Sequence, residues 1–154
     1  MSPADPRIPA RRVPEELLTQ GDAAVARALF APSCRHFGVG AGPAGTETLV
    51  AFVAAVRRVV PDLSAVVDEA AAGSNVVAHR LTLAGTLPGA ARREWAAVEW
   101  FRLGPDQRFT EHWLLADWPE PLLRLVGAGE ARPPPRPAAD SPSAPWHASH
   151  RRTP

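Results

Sequence analysis

The side chains that could do chemistry are concentrated in one apolar segment near the end of the regular sequence, which contains Glu111, His112, Trp113 and Asp117. Charged groups are rarely buried without a partner, so a strand that carries them inward indicates a chemical purpose. A carboxyl group among Trp and Leu side chains has its charged form disfavoured, which raises its pKa. Such a group can take a proton from a carbon flanked by carbonyls and return it later.

Alternation along a strand divides this segment between two faces. Glu111, Trp113 and Asp117 share one face, and His112 lies on the other. Asp117 and His112 therefore cannot both face one pocket unless the strand has a bulge or ends between them. Each has an alternative role: Asp117 precedes Pro119 and could cap the last helix, and His112 could lie on the surface or in a dimer interface. Glu111 is either a pocket residue or a solvated strand residue.

Further polar side chains occur in other extended segments. His36 is either a pocket residue or an exposed loop residue. His79 and Arg80 alternate in the centre of a predicted strand, so one of them faces inward, either to bind a substrate oxygen or to make a structural hydrogen bond. Glu99, beside Trp100, has the same two possible roles. All five are candidate substrate-binding residues.

Two other motifs are discounted, and a lone cysteine has two possible roles. Residues 40–45 match G-x-G-x-x-G before a helix, but Pro43 removes an amide that could bind phosphate, and the rest of the chain predicts hairpins without a second βαβ unit. His147 and His150 lie in a Pro-rich tail, which makes a poor metal site. Cys34 is either activated by a neighbouring arginine or a plain semi-buried thiol. We expect neither a metal ion nor a cofactor.

The elements that must position these residues follow from periodicity. Helical spacing predicts a first helix over 14–30 with an interruption at 21–22, a second over 46–60 and a short last one over 122–126. Extended segments are predicted at 33–37, 64–72, 75–87, 91–103 and 107–117. The short turns between the last four indicate antiparallel hairpins. Helices followed by a meander predict an α+β fold, with the helices on one face of the sheet and a small-molecule pocket between them.

Composition sets the boundaries and the class of protein. We expect a disordered N-terminus over 1–12, one domain over 13–127 and a disordered Pro-rich tail over 128–154. The net charge of +1 favours neither a nucleic acid nor an anionic membrane as partner. The chain shows no signal peptide and no apolar run that could span a bilayer, so we expect a cytoplasmic protein.

Taken in order, several segments resemble the SnoaL-like polyketide cyclases of the nuclear transport factor 2-like superfamily. The resemblance covers about residues 14–127. It is carried by 21–22, 60–63, 73–78, 85–89, 100–103 and 111–113, followed by Asp117.

The resemblance implies a cone in which N-terminal helices pack on a curved, mainly antiparallel sheet, and it implies a homodimer. It also implies cofactor-free aldol ring closure on a polyketide, with Asp117 as the acid/base. His36 stands where the family often has a pocket histidine. Leu87 departs from the family pattern, in which a histidine often follows Gly-Thr. That departure removes one polar contact from the expected pocket.

Three functional hypotheses follow. The first is a cofactor-independent cyclase or isomerase acting on a polyketide-like or related specialised metabolite, with Asp117 and His112 as candidate catalytic groups and Trp113, Glu111 and His36 shaping the pocket. The second is a related pocket that hydrolyses or hydroxylates a small molecule. The third is a binding or assembly module without chemistry.

Overall fold

One sheet of five strands organises the part of the chain that the computed structural model describes, residues 5–40 and 45–126. The strands are β1 (Phe30–Phe37), β2 (Ser64–Ala72), β3 (Val76–Thr86), β4 (Arg92–Leu103) and β5 (Phe109–Ala116). They lie in the order β1-β5-β4-β3-β2. The pairs β2–β3, β3–β4 and β4–β5 are antiparallel, which confirms the predicted hairpins, and β1 lies parallel to β5 at the edge of the sheet.

The helices in the described ranges are α1 (Arg7–Arg12), α2 (Ala23–Leu29), α3 (Thr46–Val59) and α4 (Glu120–Val126), with a π-helical segment (Val13–Leu18) after α1. The predicted interruption is present, and the Asp22 side chain caps α2 by accepting a hydrogen bond from the Ala24 amide at 2.9 Å. Helix α3 begins at Thr46, a residue type that often caps helices, but Thr46 does not act as the N-cap. It is the first helical residue, and its hydroxyl donates to the Ala31 carbonyl at 2.9 Å.

The expected disorder of residues 1–12 is wrong for the described part of that segment. Residues 7–12 form α1, because Ala10 is fully buried in the core and Arg12 pairs with Glu16 one turn later at 2.7 Å. Residues 1–4 and the expected Pro-rich tail at 128–154 lie outside the described residues.

The helices cover one face of the sheet, which confirms the α+β class. Helix α3 buries an apolar stripe that includes Leu49, Phe52, Val53 and Val56, and it packs against β1, α2 and α4. We call the covered side of the sheet the inner face and the other side the outer face. The inner face of β3, β4 and β5 contributes these apolar residues to the core: Val77, Leu81, Leu83, Trp95, Ala97, Phe101, Phe109 and Leu114.

Gly38 allows β1 to lie close against β5. Its φ is +77°, and a Cβ at this position would meet the backbone carbonyl of Leu114. Only glycine adopts this conformation at such close range without strain. The residue directly follows β1 and therefore helps to fix the strand that carries His36.

The topology contradicts a dinucleotide fold. After β1 and α3 the chain enters β2, which pairs with β3 and lies at the opposite edge of the sheet from β1. A dinucleotide site needs neighbouring parallel strands joined by the helix, and residues 41–44 of the glycine motif lie outside the described residues. Within the described ranges, no helix is long and apolar enough to cross a membrane.

Candidate active site

Four strands bring four ionisable side chains together on the inner face. His36 of β1 lies opposite His112 of β5, and His79 of β3 lies opposite Glu99 of β4. Strand alternation points all four side chains toward the helices. We call His36, His112, Glu99 and His79 the tetrad.

The tetrad is a linear chain of hydrogen bonds. His36 Nδ1 and His112 Nδ1 are 3.1 Å apart, and His112 Nε2 lies 3.1 Å from Glu99 Oε1. The second oxygen of Glu99, Oε2, lies 3.3 Å from His79 Nδ1. The side chains of His79, Glu99 and His112 are fully shielded from solvent. Inside a protein, hydrogen bonds in such a network are electrostatically stronger than they are in water.

Glu99 fixes the tautomers of its two neighbours. Burial alone would raise the pKa of Glu99, but the hydrogen bonds from His112 and His79 outweigh burial and leave that pKa below its ordinary value. An ionised carboxylate only accepts hydrogen bonds. His112 Nε2 and His79 Nδ1 must therefore each carry a hydrogen and donate it to Glu99.

At the His36 end of the tetrad, the hydrogen bonds can be arranged in two ways. Burial, and secondly the nearby charge of His112, lower the pKa of His36 to about 3, so His36 is neutral. When His112 is also neutral, its Nδ1 accepts from His36 Nδ1–H, and His36 Nε2 is a free base. When His112 is the imidazolium, its Nδ1 donates to His36, and His36 Nε2 carries a hydrogen. One proton thus converts the open nitrogen of His36 from acceptor to donor.

Both ends of the tetrad are open. His36 Nε2 and His79 Nε2 are buried and have no hydrogen-bond partner among the described residues. Aromatic rings surround the histidines: Phe30 lies 5.1 Å from His36 and 5.4 Å from His112, and Phe101 stacks on His112 at 5.1 Å between centroids. Buried polar atoms without partners are rare in folded proteins and are found at functional sites. The tetrad is therefore the candidate active site.

Sequence comparison identifies the family. Residues 10–112 match the SnoaL-like domain, which is more than half of the 154-residue chain. The chain belongs to the SnoaL-like domain family. No protein with a curated description matches this SnoaL-like chain significantly.

Solved structures agree with this assignment. The SnoaL-like chain is similar to IdmH, a proposed polyketide cyclase from Streptomyces antibioticus, at 23% identity and a TM-score of 0.63, over 74% of this chain and 93% of that one. It is similar to a proposed SnoaL-like polyketide cyclase from Jannaschia sp. CCS1 at 20% identity and a TM-score of 0.65, over 84% and 93% of the two chains.

A third similar structure is described by its fold. It is a hypothetical protein with a ketosteroid isomerase-like fold from Catenulispora acidiphila, in complex with trimethylamine, at 14% identity and a TM-score of 0.61, over 70% of this chain and 83% of that one. The SnoaL-like domain therefore has the α+β fold of ketosteroid isomerase and nuclear transport factor 2, as the resemblance implied.

The face of β5 that the resemblance favours, with Trp113 and Asp117, is the outer face and not the one toward the helices. His112 is fully buried on the inner face, whereas Trp113 lies on the outer face, where it stacks on Phe37 at 4.6 Å and meets Trp100 edge-on at 4.5 Å. Trp113 therefore does not face the helices, as a wall of the expected pocket would. The same alternation places Trp100 outside, with the Arg102 guanidinium 5.1 Å from its ring centroid.

Asp117 is exposed, so the expectation of a carboxyl group buried among Trp and Leu side chains is wrong for this residue. It follows the last residue of β5, and its amide donates to the Ala96 carbonyl at 3.0 Å. At the strand end the side chain stays on the outer side, in line with Trp113. The buried carboxylate that the sequence led us to expect is supplied by Glu99 instead.

Glu111 and Arg80 also belong to the outer face. Glu111 accepts hydrogen bonds from Arg35 and, at 2.9 Å, from Arg102 Nε. Burial would raise the pKa of Glu111, but these two arginines lower it overall. Arg80 is exposed and pairs with Glu69 at 3.1 Å. Neither residue joins the tetrad.

Cys34 is the plain buried thiol of the two alternatives. It is 1% exposed, and burial, with the nearby charge of Glu111, raises its pKa to about 12 despite Arg35. A thiol in that range is not an activated nucleophile. In the part of the chain that the structure describes, no group of three or more His, Cys, Asp or Glu side chains could hold a metal ion.

Sequence reasoning missed two inner-face residues, Trp95 and Trp118. Their indole N–H groups are buried and unpaired in the described part of the SnoaL-like domain. Alternation alone could have indicated Trp95, because it lies four residues before Glu99 and therefore on the same face of β4. Trp118 follows β5, and no periodic pattern orients a residue there.

Proposed function

We propose that the chain is a cofactor-independent cyclase or isomerase that acts on a polyketide-like or related specialised metabolite. The single observation that carries this proposal is the buried tetrad with its open nitrogens. A base that is held out of water and coupled to a buried carboxylate is suited to removing a proton from carbon. The family match and the fold agree with this chemistry.

The proposed mechanism begins when His36 Nε2 takes a proton from a carbon next to a carbonyl. The hydrogen on His36 Nδ1 passes to His112 Nδ1 across the 3.1 Å contact. His112 becomes an imidazolium, which the Glu99 carboxylate stabilises from its other side, in the way a buried Asp stabilises the histidine of a serine protease.

The enolate then attacks a second carbonyl of the same folded molecule, and a carbon–carbon bond forms. The alkoxide that results takes a proton from His36 Nε2–H, while His112 Nδ1 returns its hydrogen to His36. The tetrad ends in its starting state, and the product is an isomer of the substrate. Holding the two reacting ends together supplies most of the remaining rate enhancement.

The first test uses 2-tetralone, a ketone with acidic hydrogens next to its carbonyl. In D₂O, the protein should accelerate exchange of these hydrogens for deuterium, as followed by ¹H NMR. His36→Asn removes the base, and Glu99→Gln removes the charge that stabilises the His112 imidazolium. Each change should reduce the accelerated rate by about 100-fold or more, the scale of acid/base catalysis.

The matched control is Glu94→Gln, the same change at an exposed position of β4, which should leave the exchange rate unaltered. Asp117→Asn separates the tetrad from the site that the sequence first indicated. Loss of exchange in Asp117→Asn, with full exchange in His36→Asn and Glu99→Gln, would reject the tetrad as the acid/base.

We also propose that two copies associate through the outer face. Val98 and Leu115 lie directly opposite each other on β4 and β5 and are 51% and 39% exposed, and Val66 on β2 is 57% exposed. Apolar side chains grouped on a sheet face are typical of interaction surfaces. A face that meets its own copy across a two-fold axis gives a closed dimer.

A further inference from the structure

A second set of unsatisfied polar atoms lies on the inner face, away from the tetrad. The Nε1–H groups of Trp95 and Trp118 are buried and have no hydrogen-bond partner within residues 5–40 and 45–126. The two side chains are only 4% and 7% exposed. Among the described residues, the buried side-chain nitrogens and oxygens without a partner are these two and the open nitrogens of His36 and His79.

Packing fixes the two indoles beside each other. Their ring centroids are 6.4 Å apart, and Phe52 of α3 meets Trp118 edge-on at 5.8 Å. Trp95 lies opposite Leu83 of β3. The hydrogen bond between the Asp117 amide and the Ala96 carbonyl ties the end of β5 to β4 and so holds Trp118 next to Trp95.

The chemistry of indole defines what these groups accept. An indole N–H is a donor only, so any partner must bring an acceptor atom. The surrounding side chains are aromatic and aliphatic, which disfavours a charged carboxylate or phosphate. A neutral oxygen therefore suits the position.

We infer that Trp95 and Trp118 form a subsite that binds a neutral carbonyl or phenolic oxygen of an otherwise apolar ligand. Trp95 and Glu99 are four residues apart on the same face of β4, which places the subsite about 13 Å from the tetrad at roughly 3.3 Å per residue. The subsite goes beyond the proposed proton transfer, because it specifies what the inner face recognises and is independent of turnover. A ligand that reaches both places is elongated and carries oxygen at the end far from the base.

The test is a titration of the full chain, labelled with ¹⁵N, with 2-tetralone and, separately, with tetralin, which has the same carbon skeleton without the carbonyl. Trp95→Phe and Trp118→Phe assign the two indole N–H resonances in the ¹H–¹⁵N spectrum. Both resonances should move downfield with 2-tetralone and not with tetralin. The indole resonances of Trp100 and Trp113, on the outer face, serve as internal references.

The same Phe variants keep an aromatic ring and remove one donor each. Each should weaken 2-tetralone binding by about threefold to tenfold, the value of one hydrogen bond, and leave tetralin binding unchanged. Equal losses for both ligands, or the absence of a ketone-specific shift in the wild-type chain, would overturn the subsite and leave water as the only partner of these N–H groups. The wild-type comparison decides the matter even where a variant folds poorly.

The two proposals fail separately. Downfield shifts without deuterium exchange would support the subsite and reject the acid/base role of the tetrad. Exchange without shifts would do the reverse.

Discussion

Glu99 is the carboxylate of the tetrad and can stabilise a positive charge on a histidine beside it. It is fully buried and accepts hydrogen bonds from His112 at 3.1 Å and from His79 at 3.3 Å. Among residues 5–40 and 45–126, no carboxylate is hydrogen-bonded to His36, and burial lowers the pKa of His36 to about 3. In the proposed mechanism, the hydrogen that leaves His36 Nδ1 therefore moves to His112, beside the carboxylate.

Acid should destabilise the fold through His36. The ordinary pKa of 6.5 applies to the unfolded chain, and the folded value is about 3. As the pH falls from 6.5 towards 3, the unfolded state binds a proton that the folded state does not, so the free energy of unfolding decreases. Above pH 6.5 this contribution to stability is fully present. By pH 4.5 the loss is about 2–3 kcal/mol, at 1.36 kcal/mol per unit, as measured by urea unfolding.

His36→Asn is the control for this acid effect. Asn places a hydrogen-bonding atom near the position of Nδ1 and does not titrate. The difference in unfolding free energy between pH 7.5 and 4.5 should shrink by the same 2–3 kcal/mol, about two pH units at 1.36 kcal/mol each. The remaining acid dependence comes partly from Glu99, whose lowered pKa acts in the same direction. An identical pH dependence in the variant and the wild type would contradict a neutral, buried His36.

The alternation of side chains along each strand predicted which residues share a face. It did not predict which of the two faces the helices cover. It correctly requires that one of His79 and Arg80 faces inward, and His79 does. In β5 both faces carry large apolar groups, Leu114 on one and Trp113 on the other, so composition does not distinguish them. Burial of Trp113 on the outer face depends on Phe37, a residue distant in sequence that no local pattern connects to it.

Arg57 links helix α3 to the end of the π-helical segment and to the chain just before β2. Its guanidinium donates to the carbonyls of Leu18 at 3.0 Å, Thr19 at 2.6 Å and Leu63 at 3.3 Å. These carbonyls belong to the end of the π-helical segment and to the chain just before β2. One side chain thus joins three parts of the fold and satisfies backbone acceptors that have no helical partner.

Arg57→Met keeps the alkyl stem and removes all of these donors. We expect a loss of about 2 kcal/mol, within the range for hydrogen bonds from a charged group, in chemical denaturation at pH 7.5. Arg58→Met, at the exposed neighbouring position, should change stability by no more than about 0.5 kcal/mol. Equal effects of the two changes would indicate a general dependence on helix charge rather than this set of contacts.

The meander was predictable because its turns are local. The predicted strand limits differ from those of β2 to β5 by at most two residues. The pairing of β1 with β5 was not predictable, since His36 and His112 are 76 residues apart and no local signal selects an edge of the sheet. The tetrad depends on that pairing, so the site could be predicted only as separate candidates.

For the whole molecule, the outer face should determine the oligomeric state. Val98→Glu places a charge directly opposite Leu115 on the outer face, and burying unpaired charge in an interface is unfavourable. The wild-type chain should be a dimer and this variant a monomer in size-exclusion chromatography with light scattering. Ile8→Glu, at a position on α1 that is 68% exposed, should remain dimeric. A monomeric wild type at every concentration would reject this interface.

The parallel contact between β1 and β5 also bears on how the chain folds. The first strand carries one end of the tetrad and the last strand carries its neighbour, so the network closes a long sequence loop. Contacts of high sequence separation form late, because the entropy of closing the loop opposes them. A nascent chain that has emerged only as far as β4 contains His36, His79 and Glu99 but lacks His112, so the tetrad is incomplete. The proposed proton transfer therefore requires the final strand, and a refolding experiment should recover deuterium exchange last.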